Sequence, residues 1–119
     1  MANTAIPNSA LVVGGNADVA GTAIVAADTH VITPTKRSAK LLIRVVNTFA
    51  GSKVATLVAG DNPPADASVA ATVTLADGST TPTVGWFVVD AAKYMQNDGT
   101  LQITVAASMT GFITAFQIP

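Results

Sequence analysis

The chain has 119 residues, half of them apolar and 11% charged, and its 6 basic residues against 7 acidic ones leave a formal net charge of −1. That length suits a single β domain, residues 1–119, able to bury a core without disulfide or metal. So few basic residues argue against a nucleic-acid partner, which calls for a strongly basic surface. The absence of Cys excludes disulfides and thiolate chemistry.

The apolar half rests on 22 Ala and 15 Val, accompanied by 16 Thr and only 6 Leu. Val and Thr are stiff at χ1 and fit a pleated surface, whereas amphipathic helices draw on Leu, Glu and Lys. Every acid is Asp, a residue that bonds its own backbone in turns. The strand faces are therefore expected to be nearly uncharged, a surface suited to being covered by a partner. No secretory signal is visible before Lys36, and no apolar run approaches the length of a spanning helix, so no membrane partner is expected.

Residues 1–21, rich in Asn and Gly, read as an N-terminal arm with at most one short strand near residues 10–13. Residues 22–33 read as a strand that is bent or buried on both faces, and Pro34 ends it. The strongest apolar run, KLLIRVVNTF from Lys40 to Phe49, places Leu41, Ile43 and Val45 on its inner face. Residues 50–52 form a hairpin-sized gap before a returning strand at residues 54–59.

Consecutive prolines make residues 60–67 (GDNPPADA) a loop. Val69, Ala71, Val73 and Leu75 then alternate with polar or small residues up to the turn Asp77-Gly78. A strand over residues 84–90 carries the only Trp, and residues 91–98 suit about two turns of helix with Asp90 as N-cap. Leu101, Ile103, Val105 and Ala107 alternate next, and Thr110-Gly111 turns the chain into residues 112–118 as a closing hairpin. The expected fold is all-β: an antiparallel sandwich of about seven or eight short strands, jelly-roll-like, with at most one short helix.

Catalytic chemistry finds little support. Asp28 and the single His30 would share one strand face, but no Gly-x-Ser-x-Gly elbow accompanies them, and a satisfied or surface histidine is the plainer reading. One His without Cys builds no common zinc site. Asp61, Asn62 and Asp66, or Asn97 and Asp98, do not match a calcium-loop spacing and read as turn residues. Gly14, Gly15 and Gly21 lack the Lys-Ser/Thr pair of a phosphate loop. No enzyme activity, cofactor or metal is expected.

The one charge asymmetry is basic: Lys36, Arg37, Lys40 and Arg44 fall within nine positions. On a strand Lys40, Leu42, Arg44 and Val46 share a face, a mixed basic and apolar strip open to a partner, or else a solvated edge guarded by its charges. Trp86 and Phe87, being adjacent, face opposite ways, one toward a core and one toward an interface.

From KLLIRVVNT at Lys40, through AGDNPPA at Ala59, to DGTLQITVAASMTGFITAFQIP at the end of the chain, the sequence resembles the small decoration, or auxiliary head, proteins of tailed bacteriophages. That resemblance implies a structural virion subunit, made in the host cytoplasm and placed on the capsid surface. Its expected partners are the major capsid protein and further copies of itself, a trimer being favoured. It carries over no active-site residues. A carbohydrate-binding or adhesive sandwich of a tail or fibre, using Trp86 or Tyr94, is the alternative.

Overall fold

A computed structural model describes residues 3–16, 19–35, 39–59, 70–96 and 98–118, without the side chains of residues 92 and 93. Ten strands are present among them: β1 (Asn3–Ile6), β2 (Asn8–Ala10), β3 (Thr22–Ala23), β4 (Thr29–Ile32), β5 (Lys40–Asn47), β6 (Lys53–Leu57), β7 (Ala71–Leu75), β8 (Thr83–Asp90), β9 (Leu101–Val105) and β10 (Gly111–Gln117). One sheet has the order β1-β4-β9-β6-β7, and the other β2-β10-β5-β8 with β3 also against β10. The all-β sandwich expected from composition and alternation is what the chain forms.

Strands β3 to β10 alone have the two four-stranded orders β4-β9-β6-β7 and β3-β10-β5-β8, every neighbouring pair antiparallel. Among them only the β6–β7 connection stays within one sheet. This is the eight-stranded jelly roll; the expected seven or eight strands took residues 22–33 as one and added one from the arm, whereas ten strands are found among the described residues. The other two strands correct the purely antiparallel expectation, because β1 pairs parallel to β4 and β2 pairs parallel to β10. Residues 1–21 thus contribute two strands rather than one, and of the apolar residues 10–13 that suggested a strand only Ala10 lies in one. Pro7 separates the two strands, and Ile6 enters the core. An NTAI sequence has too little alternation to announce a strand; its ladder is supplied by β4.

Two expected hairpins are instead crossings between sheets. The chain leaves β5 at residues 48–52 and joins β6 in the opposite sheet, and it leaves β9 at residues 106–110 to enter β10 between β5 and β2. A turn signal marks where a strand stops, and says nothing about which sheet receives the next one. The strand expected over residues 22–33 is broken into β3 and β4 by a turn, with the Asp28 N–H donating to the Val25 carbonyl at 2.9 Å. The helix is a single turn, α1 (Ala91–Tyr94), and Asp90 makes no side-chain capping bond. Its continuation is prevented by Gln96, whose backbone N–H donates to Thr100 O at 2.8 Å while its Nε2 donates to Ala59 O at 2.9 Å. Residues 60–69, which hold the proline loop, Val69 and the first calcium candidates, lie outside the described residues, as does Asn97.

The core lies between the sheets. Leu41, Ile43 and Val45 of β5 meet Ala55, Leu57, Leu101 and Ile103 from the facing sheet, with Ile113 and Ala115 of β10 alongside, all fully buried. Side chains alternate strictly along β5 and β8, so the residues between these point outward. At the open side of the sandwich β7 closes on β8 over Gly85. A Cβ at that glycine would lie 2.7 Å from side-chain atoms of both Val73 and Leu75, so only glycine lets β7 approach this closely. Among the described residues no helix is long and apolar enough to cross a membrane.

Candidate functional site

The outward residues of β8, β5 and β10 form a grid set by strand register. One row across the sheet is Val84, Val46, Phe112; the next is Trp86, Arg44, Thr114; the third is Val88, Leu42, Phe116. At the end of the face Lys40 stands opposite Asp90, and both are exposed. Seven of the nine grid residues are apolar. Trp86 is 47% exposed, Val84 50%, Val88 71% and Phe112 46%, whereas Phe87 between them on β8 is 4% exposed and belongs to the core. Adjacent Trp86 and Phe87 therefore divide as the alternation of a strand requires.

Arg44 occupies the centre of this apolar field. Its guanidinium carbon is 6.0 Å from the centroid of Trp86 and 5.8 Å from that of Phe116, distances at which the ring faces attract the cation. Nη2 donates to the Val19 carbonyl at 3.2 Å and to Thr114 Oγ1 at 3.4 Å. The Val19 bond ties the segment before β3 to the β10 side of the face. There Gly21 runs so close that a Cβ would meet Phe112 Cβ at 2.7 Å and Thr114 Oγ1 at 2.8 Å. Thr114, beside that passage, is buried, as is Phe116 under Arg44, while the β8 side stays open.

The outer face of the other sheet has a different chemistry. Thr72, Thr56 and Thr104 form one row across β7, β6 and β9, with Thr74 and Gln102 nearby on the same side and a single exposed aliphatic group, Val54, opposite Thr74. The two outer faces of the sandwich thus differ, one carrying threonines and the other aliphatic and aromatic groups around a single Arg.

Of the basic residues singled out from sequence, Lys36 and Arg37 lie outside the described residues, and Lys40 and Arg44 share the outer face of β5 as expected. Sequence alone did not reveal that β8 and β10 flank β5, which is what assembles Trp86, Val88 and Phe112 around Arg44. The signal was the V-x-W-x-V alternation of residues 84–88, readable as an apolar outer stripe once β8 is placed on the sheet.

His30 is a structural residue. It is fully buried, its Nε2 accepts the Val25 N–H at 3.1 Å, and its Nδ1 lies 3.3 Å from Ile103 O. An amide N–H can only donate, so Nε2 carries no proton and Nδ1–H is the donor to Ile103. Burial lowers the His30 pKa from its ordinary value, opposed by the Ile103 carbonyl and by the charge of Asp28. Asp28 in turn accepts the Thr4 hydroxyl at 2.7 Å, joining β1 to this corner. Both ring nitrogens of His30 are engaged, which leaves none to activate a nucleophile. Asp98 acts within a turn, accepting the Thr100 N–H at 3.1 Å. Among the described residues no group of three or more His, Cys, Asp or Glu gathers at one place. Comparison of the chain with protein-family models, with curated proteins and with solved structures returns no match.

Proposed function

We propose that this chain is a non-catalytic structural subunit, a capsid decoration protein that binds the outside of a phage head through the outer face of β8, β5 and β10. The observation that carries this reading is the contiguous apolar face around Arg44, with Val84, Trp86, Val88 and Phe112 all exposed on one side of the sandwich. Exposed apolar patches of this kind mark protein interaction surfaces, and a central Trp and Arg are the residue types that dominate binding energy. The threonine-bearing opposite face suits solvent, so a copy would bind on one side and remain wetted on the other. Each copy would bury modest apolar area at roughly 25 cal/mol per Å², and bridging between neighbouring shell subunits would multiply the effect.

A sugar platform requires polar groups around its aromatic ring. Val84 and Val88 flank Trp86 along β8, and Tyr94 packs against the core, so the geometry favours a protein surface as the ligand. The test is to purify particles from the source and quantify this chain against the shell subunit by mass spectrometry. A fixed ratio to the shell supports decoration; a few copies per particle would place the chain on a tail or fibre, and absence would overturn the reading. In a rebinding assay on stripped particles, Trp86→Ala should abolish attachment while leaving the melting temperature within a few degrees of the parent.

A further inference from the structure

Strand β8 is an edge. It hydrogen bonds to β5 on one side, and among the described residues no strand lies against the other. The phase of its ladder is fixed by the Ala91 N–H, which donates to Ala39 O at 2.9 Å in the register that also sets Lys40 opposite Asp90. Odd-numbered residues of β8 therefore bond to β5, and the N–H and C=O groups of Val84, Trp86 and Val88 point out of the sheet edge. The ladder runs without a bulge over its whole length, and TVGWFVV contains no charge and no proline. Edge strands are ordinarily blunted by Lys, Pro or bulges, and β8 has none of these between Thr83 and Val89.

We propose that this edge pairs antiparallel with the same edge of a second copy about a two-fold axis at Trp86. The strand is complementary to itself in that register. Trp86 faces the partner's Trp86, Val84 faces the partner's Val88, and Gly85 faces the partner's Phe87, so apolar groups meet across the seam. Asp90 falls beyond the paired span. Moving the axis to Phe87 would set Asp90 against the partner's Val84, burying a carboxylate beside an aliphatic chain, which disfavours that register. Pairing of this type consumes both edges, so association stops at two, where an edge that recruited unrelated strands would stay open at one end. The inference concerns the isolated chain and is independent of the proposed function; it replaces the trimer that the resemblance implies with a dimer.

The test uses the full chain, which contains no Cys. Residues that exchange both backbone bonds have Cα atoms about 5.5 Å apart, within the range a disulfide spans. Trp86→Cys should therefore oxidise to a covalent dimer. Val84→Cys and Val88→Cys should each stay uncrosslinked alone, since like residues would sit about 14 Å apart, and should crosslink when mixed. By sedimentation the parent should have twice the chain mass. Val88→Pro, which removes an outward N–H and an exposed side chain, should be a folded monomer whose melting temperature, unlike the parent's, does not rise with protein concentration. A monomeric or trimeric parent, a dimer that survives Val88→Pro, or self-crosslinking of Val84→Cys would overturn the proposal.

Discussion

Arg44 and Trp86 stand directly opposite each other on β5 and β8, with the guanidinium carbon 6.0 Å from the indole centroid. A planar cation stacked between rings presents its charge at the middle of an otherwise apolar surface. It sets one charged group, already held by partners within the chain, among apolar neighbours that a binding surface would have to match.

Replacing Arg44 with Ala removes two ring contacts and the bond to Val19, a loss of about 1 kcal/mol in folding stability. Urea unfolding should show that small decrease, while binding to particles should fall far more. Arg44→Lys keeps the charge and loses the planar stack, and should bind weakly; full binding by this variant would show that charge alone matters.

His30 makes stability depend on pH. Its folded pKa is lowered from 6.5 by burial, so above that value the ring is neutral both folded and unfolded. As pH falls through 6.5 the unfolded chain takes up a proton that the folded chain refuses. Stability is then lost progressively, and the loss levels off once pH lies below the folded pKa. Urea midpoints between about pH 7 and 5 should fall in the parent and stay flat in His30→Gln.

Gly78 and Gly51 should respond differently to Ala. A Cβ at Gly78 would sit 1.8 Å from the Asn47 carbonyl oxygen, a backbone collision that forces the 77–82 connection away from β5. Gly51 has φ +93 but open space around it. Thermal melts should show Gly78→Ala costing roughly 2 to 3 kcal/mol or more and Gly51→Ala about 1 kcal/mol. Equal losses would contradict the packing described.

Asn47 joins two connections. Fully buried at the end of β5, it donates to Ala76 O at 2.9 Å and Gly51 O at 3.3 Å, and its Oδ1 accepts the Phe49 N–H at 3.0 Å. Asn47→Ala leaves these backbone groups without that partner and should cost about 2 to 3 kcal/mol by chemical unfolding.

What the sequence made legible follows period-two alternation. Leu41, Ile43 and Val45 on one side of β5, and Trp86 and Phe87 on opposite sides of β8, were readable because a pleated strand permits nothing else. The destination of each strand was not. Residues 50–52 and the pair Thr110-Gly111 carry ordinary turn chemistry, yet both connections lead across the sandwich, a choice made by core packing between distant segments. The candidate face was half visible for the same reason. Lys40, Leu42, Arg44 and Val46 could be aligned from one strand, but Phe112 joins them only through a register between segments far apart in the chain. In β1 and β2 the short polar strands depend on partners for their structure, so no local pattern announced them.

The position of β10 shapes how the molecule can be made. It lies inside its sheet, flanked by β5 on one side and by β2 and β3 on the other, yet it follows all three in chain order. Until residues 111–117 are available, β5 has a bare inner edge and β2 and β3 have no ladder at all. Folding therefore waits on closure of the longest loops, a slow step by the ordinary cost of bringing distant segments together. During that interval the apolar flank of β5 is open to other chains, and the yield of correctly folded subunits should depend on how dilute they are while the sheet is incomplete.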